Sequence, residues 1–271
     1  MIVKNHKSNF YSIKKPLLKA SRNDFIIKPF GAGLGDNLWH SHLPHIAKKM
    51  GYDNVLISEE TEYRDNDYKE LIWDLNPYVD GYCKSSPYYN KEYSSAKNEF
   101  LAINSKSSEI NILDFIMLYY GIDDGERLHN PEFYYKPIFI NSLCNSTIYD
   151  PNYVSDLRIK EGNVYLIKET IETQIDYQFS PAIMNSNKIP FKDKIYGYLP
   201  QNLRIKGVPS ITCCTFRDFC DVVYSVDNIF CFSTGIIVLC DAILKKCNVI
   251  MDENPITPIH SKRHNYILLK K

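Results

Sequence analysis

The sequence has no excess of charge of either sign and no long hydrophobic run. It contains 32 Lys and Arg residues against 32 Asp and Glu residues. A neutral chain argues against a broad electrostatic surface for nucleic acid, although a local basic patch stays open. No apolar run approaches the roughly 18 residues of a membrane-spanning helix. Residues 1–19 carry scattered charges without an apolar centre, so no signal peptide is predicted. We therefore expect a cytoplasmic protein, and peripheral contact with a membrane is left open.

Cysteines are present, but none forms a C-x-x-C pair. Of the eight cysteines, six fall in apolar segments of the last third of the chain. We expect them to be reduced core residues rather than disulfides or metal ligands. His40 and His42 would not share a helix face, and His260 and His264 lack an acidic partner in register. We therefore expect no metal site and no cofactor.

Glycine is also scarce, with 11 residues in the chain, yet three of them fall within residues 31–35. The apolar run that begins at Phe25 predicts a buried strand before these glycines, and Asp36 and Asn37 stand where a helix would begin. A strand, a glycine turn and a helix indicate the first unit of an open α/β sheet, in which ligands bind beyond the carboxyl ends of the strands. The turn fits neither the dinucleotide fingerprint nor a P-loop, because position 36 is Asp and no Gly-Lys-Ser/Thr follows.

The chemistry of this first turn centres on Asp36. Gly33 and Gly35 would allow backbone or ligand to approach closely. Asp36 would project into the crevice, where the helix dipole favours its ionised form, and would act as a base. The alternative is that Asp36 only caps the helix. His40, one helical turn later, would orient the acid or touch the acceptor, with a packing role equally open.

A similar pattern returns near the end of the chain. Residues 228–232 predict a strand, residues 233–235 a turn of two hydroxyls and a glycine, and residues 236–246 a buried apolar helix. Unpaired N–H groups at such a helix start are a natural seat for a diphosphate, unless Ser233 or Thr234 merely caps the helix. Asp241 is the one charge in the first part of that helix. It should pair with a nearby Lys or Arg, or bind a ligand hydroxyl.

Between these turns the sequence predicts two α/β halves. Residues 131–137 are interpreted as an extended linker, which sets domains at 1–133 and 134–271. Residues 1–24 are interpreted as an N-terminal arm or an edge strand, and further strands are predicted at 54–58, 138–140, 164–167, 195–199 and 248–251. Helices are predicted from Asp36 to Gly51, with Pro44 near the middle, and at 111–120 and 215–225. A C-terminal helix is expected to pack back on the first half.

Three stretches resemble the heptosyltransferase-type glycosyltransferases. Gly33-Leu34-Gly35-Asp36-Asn37-Leu38, followed by Pro44, is similar to the opening G-x-G-D motif of that family. Asn76-Pro77-Tyr78-Val79-Asp80 is similar to a turn that the family carries after its second strand. The run from Phe232 to Ala242 resembles the family's D-T-G-x-x-H-L-A-x-A motif, with Ser233 in place of Asp and Val238 in place of His.

The resemblance implies a GT-B fold, in which two Rossmann-like domains face a central cleft. It assigns the nucleotide-sugar to domain 134–271 and the acceptor to domain 1–133. The site residues that we expect on this basis are Asp36 as base with His40 nearby, Gly33, Gly35 and Asn37 at the acceptor or backbone turn, and Ser233, Thr234, Gly235, Lys168 and Asp241 at the donor, with Arg204 and Lys206 as alternative cations. The implied reaction is inverting and metal-independent.

Three functions follow as hypotheses. The first is a glycosyltransferase that acts on a bacterial surface glycan. A variant of it glycosylates a hydroxylated base in phage DNA, which the Asn-, Lys-, Ile- and Tyr-rich composition would suit. The third is a nucleotide-binding GT-B protein without catalysis, suggested by the altered motif positions at Ser233 and Val238.

Overall fold

The structure of the protein, a computed structural model, describes residues 2–3, 14–89, 110–150, 164–167, 210–213, 215–232, 234–252 and 261–269. The strands in these ranges are β1 Ile2–Val3, β2 Phe25–Ile27, β3 Val55–Ser58, β4 Gly81–Cys83, β5 Thr147–Asp150, β6 Val164–Ile167, β7 Ser210–Cys213, β8 Asn228–Phe232, β9 Asn248–Asp252 and β10 Asn265–Leu269. The helices are α1 Leu34–His40, α2 Leu43–Lys49, α3 Asn66–Tyr68 continuing into a π-helical turn Lys69–Asp74, α4 Ile112–Tyr119, α5 Phe216–Ser225 and α6 Gly235–Ala242, with a short 3-10 turn at Asn141–Leu143.

The smaller sheet consists of β2, β3 and β4, all parallel, in that spatial order. The strand β3 is buried along its whole length, as the apolar run of its sequence predicts. Because the strands are parallel, their carboxyl ends meet at one edge. The glycine turn after β2 and the segment after β3 therefore share that edge.

The larger sheet has the order β1-β7-β6-β5-β8-β9-β10. The strands β5, β8, β9 and β10 are parallel, whereas β6 runs antiparallel to both β5 and β7. The strand β8 leads directly toward α6, which places the second turn at the carboxyl edge of this sheet. Ile2–Val3 joins β7 as an edge strand, as the interpretation of residues 1–24 allowed.

Helices link the two sheets. The helix α1 packs against α6, and the ring of Tyr68 in α3 lies edge-on to Phe216 of α5 at 4.8 Å. A guanidinium N–H of Arg217 donates to Glu70 at 2.7 Å. The buried apolar residues form one cluster that includes members of both sheets. The α/β class is therefore confirmed, while the boundary between residues 133 and 134 stays a prediction.

The helix predicted after Asp36 is two helices. It breaks at Ser41 and His42, and Pro44 lies in the first turn of α2 rather than in the middle of a longer helix. Proline suits this position, because the N–H groups of a first turn have no partner within the helix. Gly51 ends the segment with φ of +88°, as expected of a glycine stop signal.

Two further predictions are wrong. Residues 138–140 are irregular because their backbone bonds to α5 instead of to a strand: the N–H of Ile138 donates to Asp221, and that of Ile140 to Ser225. The last described element is the strand β10, parallel to β9, and not a helix that packs on the first half. The predicted strand at 195–199 lies outside the described residues.

The helix α6 ends at Ala242, four residues before the predicted Lys246. Leu244 adopts φ of +58°, which cannot continue a right-handed helix. The predicted burial of the helix is confirmed, since Ile236 through Asp241 are all buried.

Seven cysteines lie in the described part of the chain, and all are free thiols; only Cys144 among them is exposed. None of the helices described is both long enough and apolar enough to cross a membrane.

Candidate functional site

The structure brings the two predicted turns into contact. A β-carbon placed on Gly35 would lie 3.5 Å from Cα of Gly235 and 3.6 Å from Cγ2 of Val238. One placed on Gly235 would lie 2.9 Å from Cβ of Leu34 and 3.0 Å from the Gly35 nitrogen. The first turns of α1 and α6 thus meet backbone to backbone. Gly235 has little room for a side chain at this approach, whereas a β-carbon on Gly35 would make only ordinary contacts.

The Asp36 carboxylate folds back onto its own turn. It accepts a hydrogen bond from the N–H of Gly33, the N-cap residue of α1. A β-carbon on Gly31 or on Gly33 would lie 2.9 or 2.7 Å from Asp36 Oδ2, so the two glycines form a cradle for the carboxylate. An acid at the third helical position that reaches back to the N-cap N–H is one half of a capping box. The geometry of Asp36 is therefore compatible with both predicted roles, that of a helix cap and that of a carboxylate at the crevice.

Burial raises the pKa of Asp36 above its usual range, while the Gly33 hydrogen bond and the charge of Arg64 oppose this rise. The sequence predicted that the helix dipole would favour the ionised form, and in the structure desolvation outweighs such effects. A carboxylate with a raised pKa is a stronger base than an ordinary one, which suits proton abstraction near neutral pH.

Asn37 is fully buried and holds the turn together. Its amide donates to the Gly33 carbonyl at 2.9 Å, and its Oδ1 accepts from the indole N–H of Trp73 at 3.0 Å. These two bonds anchor the glycine turn to the π-helical turn that follows α3. The structure therefore places Asn37 in the backbone turn, one of the two roles predicted for it.

His40 is also fully buried, and it contacts the Asp36 backbone rather than the carboxylate. Its Nδ1 lies 2.7 Å from the Asp36 carbonyl oxygen, to which a protonated Nδ1 donates. Burial lowers the pKa of His40 to about 4, so the ring is neutral at physiological pH. The predicted orientation of the acid by His40 is therefore indirect, through the backbone of α1.

The second turn is described from Thr234 onward. Thr234 is the N-cap residue of α6, with extended φ and ψ of −141° and −179°, and its carbonyl accepts from the N–H of Ile237 at 3.0 Å. Its side chain makes no capping hydrogen bond to the helix, and Thr234 and Gly235 are both partly exposed. Ser233 and Lys168 lie outside the described residues, as do the alternative cations Arg204 and Lys206.

Asp241 pairs with residues of the chain itself. Its Oδ1 lies 3.3 Å from Nε2 of His264 and 3.6 Å from Nε of Arg263. The Cys247 N–H donates to Nδ1 of His264 at 3.3 Å, which leaves Nε2 as the ring nitrogen on the side of the carboxylate. Of the two roles predicted for Asp241, the geometry favours pairing within the protein.

Arg64 is a site residue that the sequence analysis missed. Its backbone N–H donates to the Ala32 carbonyl at 3.0 Å, and its Nη1 lies 4.0 Å from the position of a Gly33 β-carbon. The residue lies in a polar segment without periodicity, so no local pattern marks it. What could have indicated Arg64 is its position in the segment after β3, because the carboxyl ends of β3 and β2 lie at the same edge of the sheet.

One group among the described residues could hold a metal ion. Ligand atoms of Asp124, Glu126 and His129 lie within 4.8 Å of one another in the loop after α4. The ammonium of Lys49 already lies 3.4 Å from Glu126 and 3.9 Å from Asp124, so a cation of the chain itself neutralises the group.

No protein-family model matches the chain, and no curated protein matches it significantly. Among solved structures, it is similar to a family 9 glycosyl transferase from Veillonella parvula DSM 2008, with 9% identity and a TM-score of 0.44 over 97% of this chain and 88% of that one. It is also similar to TibC, a bacterial iron-containing dodecameric glycosyltransferase from enterotoxigenic E. coli H10407, with 10% identity and a TM-score of 0.38 over 93% of this chain and 62% of that one. At these identities and TM-scores, the two similarities assign neither a family nor an activity to this chain.

Proposed function

We propose that the protein is a glycosyltransferase that moves a sugar from a nucleotide-sugar to an acceptor hydroxyl, with Asp36 as general base. One observation carries this proposal: a base-like carboxylate in a glycine cradle lies where the start of a second, buried helix meets the first. When the turns of two strand–turn–helix units lie next to each other, one turn can bind an acceptor while the other binds a phosphorylated donor beside it. The GT-B arrangement, with its open cleft, belongs to the same proposal.

In the proposed reaction, Asp36 takes the proton of the acceptor hydroxyl as its oxygen attacks the anomeric carbon. The bond between that carbon and the diphosphate oxygen breaks, and the diphosphate leaves with the electron pair. The N–H groups of Thr234 and Gly235 would stabilise the charge that develops on it, helped by a cation such as Lys168. Direct displacement with one base inverts the anomeric centre.

This mechanism requires the two turns to separate when the donor binds. Gly235 lies against Leu34 and Gly35 in the structure, so the start of α6 leaves little space for a large anion on the side that faces α1. We therefore interpret the described arrangement as the closed form of the site. For the acceptor, we propose a glycan hydroxyl of a bacterial surface polymer.

The second candidate is a nucleotide-binding protein without catalysis. The specific observation in its favour is the Asp36 carboxylate, which already bonds to the N–H of Gly33 as a structural cap would. A DNA acceptor has no such support: Lys15, a basic residue of the N-terminal arm, donates to the backbone carbonyls of Asn76 and Val79.

Substitution of Asp36 by Asn separates these functions. A panel of nucleotide-sugars is first screened by thermal shift, and the donor that stabilises the protein is used for transfer assays. In Asp36→Asn, transfer should fall by about 10²–10⁴-fold, the usual share of general base catalysis. Donor affinity by calorimetry should persist, and stability should change little because the amide oxygen of Asn can still accept from the Gly33 N–H.

The exposed Asp53 provides a matched control, because Asp53→Asn removes the same charge away from the turn. Full activity in Asp36→Asn would exclude Asp36 as the base. Nucleotide binding by the wild type without any turnover would favour the second candidate instead.

A further inference from the structure

Arg64 and Asp36 face the same small space above Gly33. The position of a Gly33 β-carbon lies 2.7 Å from Asp36 Oδ2 and 4.0 Å from Arg64 Nη1. The two side chains approach it from different elements, one from α1 and the other from the segment after β3. No ion pair within 4.0 Å joins them, so the guanidinium and the carboxylate face each other across Gly33 without direct contact.

The backbone fixes Arg64 at this place. Its N–H donates to the Ala32 carbonyl, which ties the segment after β3 to the glycine turn itself. The side chain is exposed, and in the described part of the chain its guanidinium makes no hydrogen bond or ion pair. A planar guanidinium has five N–H donors, which remain available toward the carboxylate and toward a hydroxyl between them.

Among the described residues, the neighbours of Asp36 other than Arg64 bring no charge to the carboxylate. On its own helix, His40 contacts the Asp36 carbonyl and is neutral through burial. From α6, the atoms that approach the first turn of α1 belong to Gly235 and Val238, which carry no charge. Within the described residues, Arg64 is thus the charged side chain that acts on the Asp36 carboxylate.

We propose that Arg64 is a positioning residue for Asp36: its guanidinium faces the carboxylate across Gly33 and orients it toward the acceptor hydroxyl. This inference rests on the proposed function for the role of Asp36 as base. The pairing itself is a property of the two side chains and does not depend on turnover. A guanidinium at this distance favours the charged form of a carboxyl that burial would otherwise neutralise.

The experiment compares Arg64→Gln, Arg64→Lys and Arg22→Gln with the wild type. Arg22 is an exposed arginine near the start of β2, so its substitution removes an equal charge away from the turn. The Asp36 side-chain carboxyl is titrated by ¹³C NMR, and its signal is assigned from its absence in Asp36→Asn. We expect this carboxyl to titrate at higher pH in Arg64→Gln, while Arg64→Lys and Arg22→Gln stay close to the wild type.

The pH dependence of transfer provides the second readout. In Arg64→Gln, the acidic limb of the profile should move to higher pH, with a loss of roughly tenfold in kcat/KM on that limb and a smaller change on the plateau. A merely structural role would lower the rate at all pH values without moving the limb. The exposed side chain makes a folding defect unexpected, and the backbone bond to Ala32 persists in each variant.

The two possible failures are distinguishable. An Asp36 carboxyl that titrates identically in Arg64→Gln and in the wild type overturns the role of Arg64, whatever the enzyme does. A wild type that turns over no nucleotide-sugar overturns the proposed function, and the NMR titration then still decides whether Arg64 holds the carboxylate.

Discussion

At the scale of single residues, the first half of the protein is built around buried polar side chains whose charge is suppressed. His40 and His42 both lie in the core, each with one ring nitrogen bonded to a backbone carbonyl. In each ring the second nitrogen has no hydrogen-bond partner among the described residues. A protonated ring would place an uncompensated charge in the core, so both histidines are held neutral.

We predict that these histidines make the protein acid-sensitive. Burial lowers the pKa of His42 to about 3 and that of His40 to about 4, well below the unfolded value near 6.5. The unfolded chain therefore binds more protons, and the free energy of unfolding should fall as the pH drops from about 6.5 toward 4. Each histidine contributes about 1.4 kcal/mol per pH unit in that window. Urea unfolding at pH 7, 6 and 5 measures this slope.

A comparison of variants is needed to isolate the effect of the histidines, because carboxyls with a raised pKa, such as Asp36, change the pH dependence of stability in the opposite direction. His42→Gln keeps a donor for the Leu113 carbonyl and should reduce the slope. His45→Gln, at the partly exposed His45, makes the same substitution outside the core for comparison. An unchanged slope in His42→Gln would contradict the assignment.

At the scale of elements, helix starts decide the local structure. Asn111 and Asp114 form a complete capping box at α4, and Thr215 and Asp218 form one at α5. Both helices begin where the sequence predicts, because a capping box is read within four consecutive residues. The starts of α1 and α6 have no such side-chain cap and are instead packed against each other.

The crossing of α1 and α6 gives a prediction with its own control. An alanine at Gly235 would bring Cβ to 2.9 Å from Leu34 Cβ and 3.0 Å from a backbone nitrogen, so the helices must separate. We expect Gly235→Ala to destabilise the protein by about 1–3 kcal/mol, the usual range for overpacking. Gly35→Ala makes only ordinary contacts of 3.5 and 3.6 Å and gains helix propensity, so it should be neutral or stabilising.

Urea unfolding of the two variants tests this contrast directly. Equal stability in Gly235→Ala and Gly35→Ala would mean that α1 and α6 do not cross this closely in solution.

At the scale of the whole molecule, the two sheets are connected by polar as well as apolar contacts. The hydroxyl of Tyr135 and the N–H of Ile138 both donate to the Asp221 carboxylate of α5. Arg217 of the same helix pairs with Glu70, which lies in the π-helical turn of the first half. The segment that the sequence suggested as a linker is therefore attached to both halves, because the N–H of Glu132 donates to Ser41 of the first half while Tyr135 bonds to Asp221 of the second.

We predict that the protein unfolds in a single transition. The apolar core is one cluster that spans both sheets, so neither half loses its packing alone. Both tryptophans, Trp39 and Trp73, lie in the first half, whereas circular dichroism reports on all helices and strands. Denaturation curves from tryptophan fluorescence and from circular dichroism should coincide, and two separated midpoints would show that the halves unfold independently.

The sequence by itself determined the features that depend on neighbouring residues. Apolar runs predicted β2, β3, β8 and β9, and the absence of charge around α6 predicted its burial. The glycine turn before Asp36 was recognisable, as was its likeness to the turn before α6, because strand, turn and helix follow one another directly in the chain.

Only the tertiary structure decided what these features touch. Gly35 and Gly235 are 200 positions apart, and their contact depends on how two helices cross. The backbone of residues 138–140 bonds to α5 and not to a strand, because side-chain acceptors there compete with a sheet edge. Arg64 lies near Asp36 only because parallel strands bring their carboxyl ends to one edge. The charge and burial of the site residues depend on residues distant in sequence, so they cannot be predicted from a local sequence pattern.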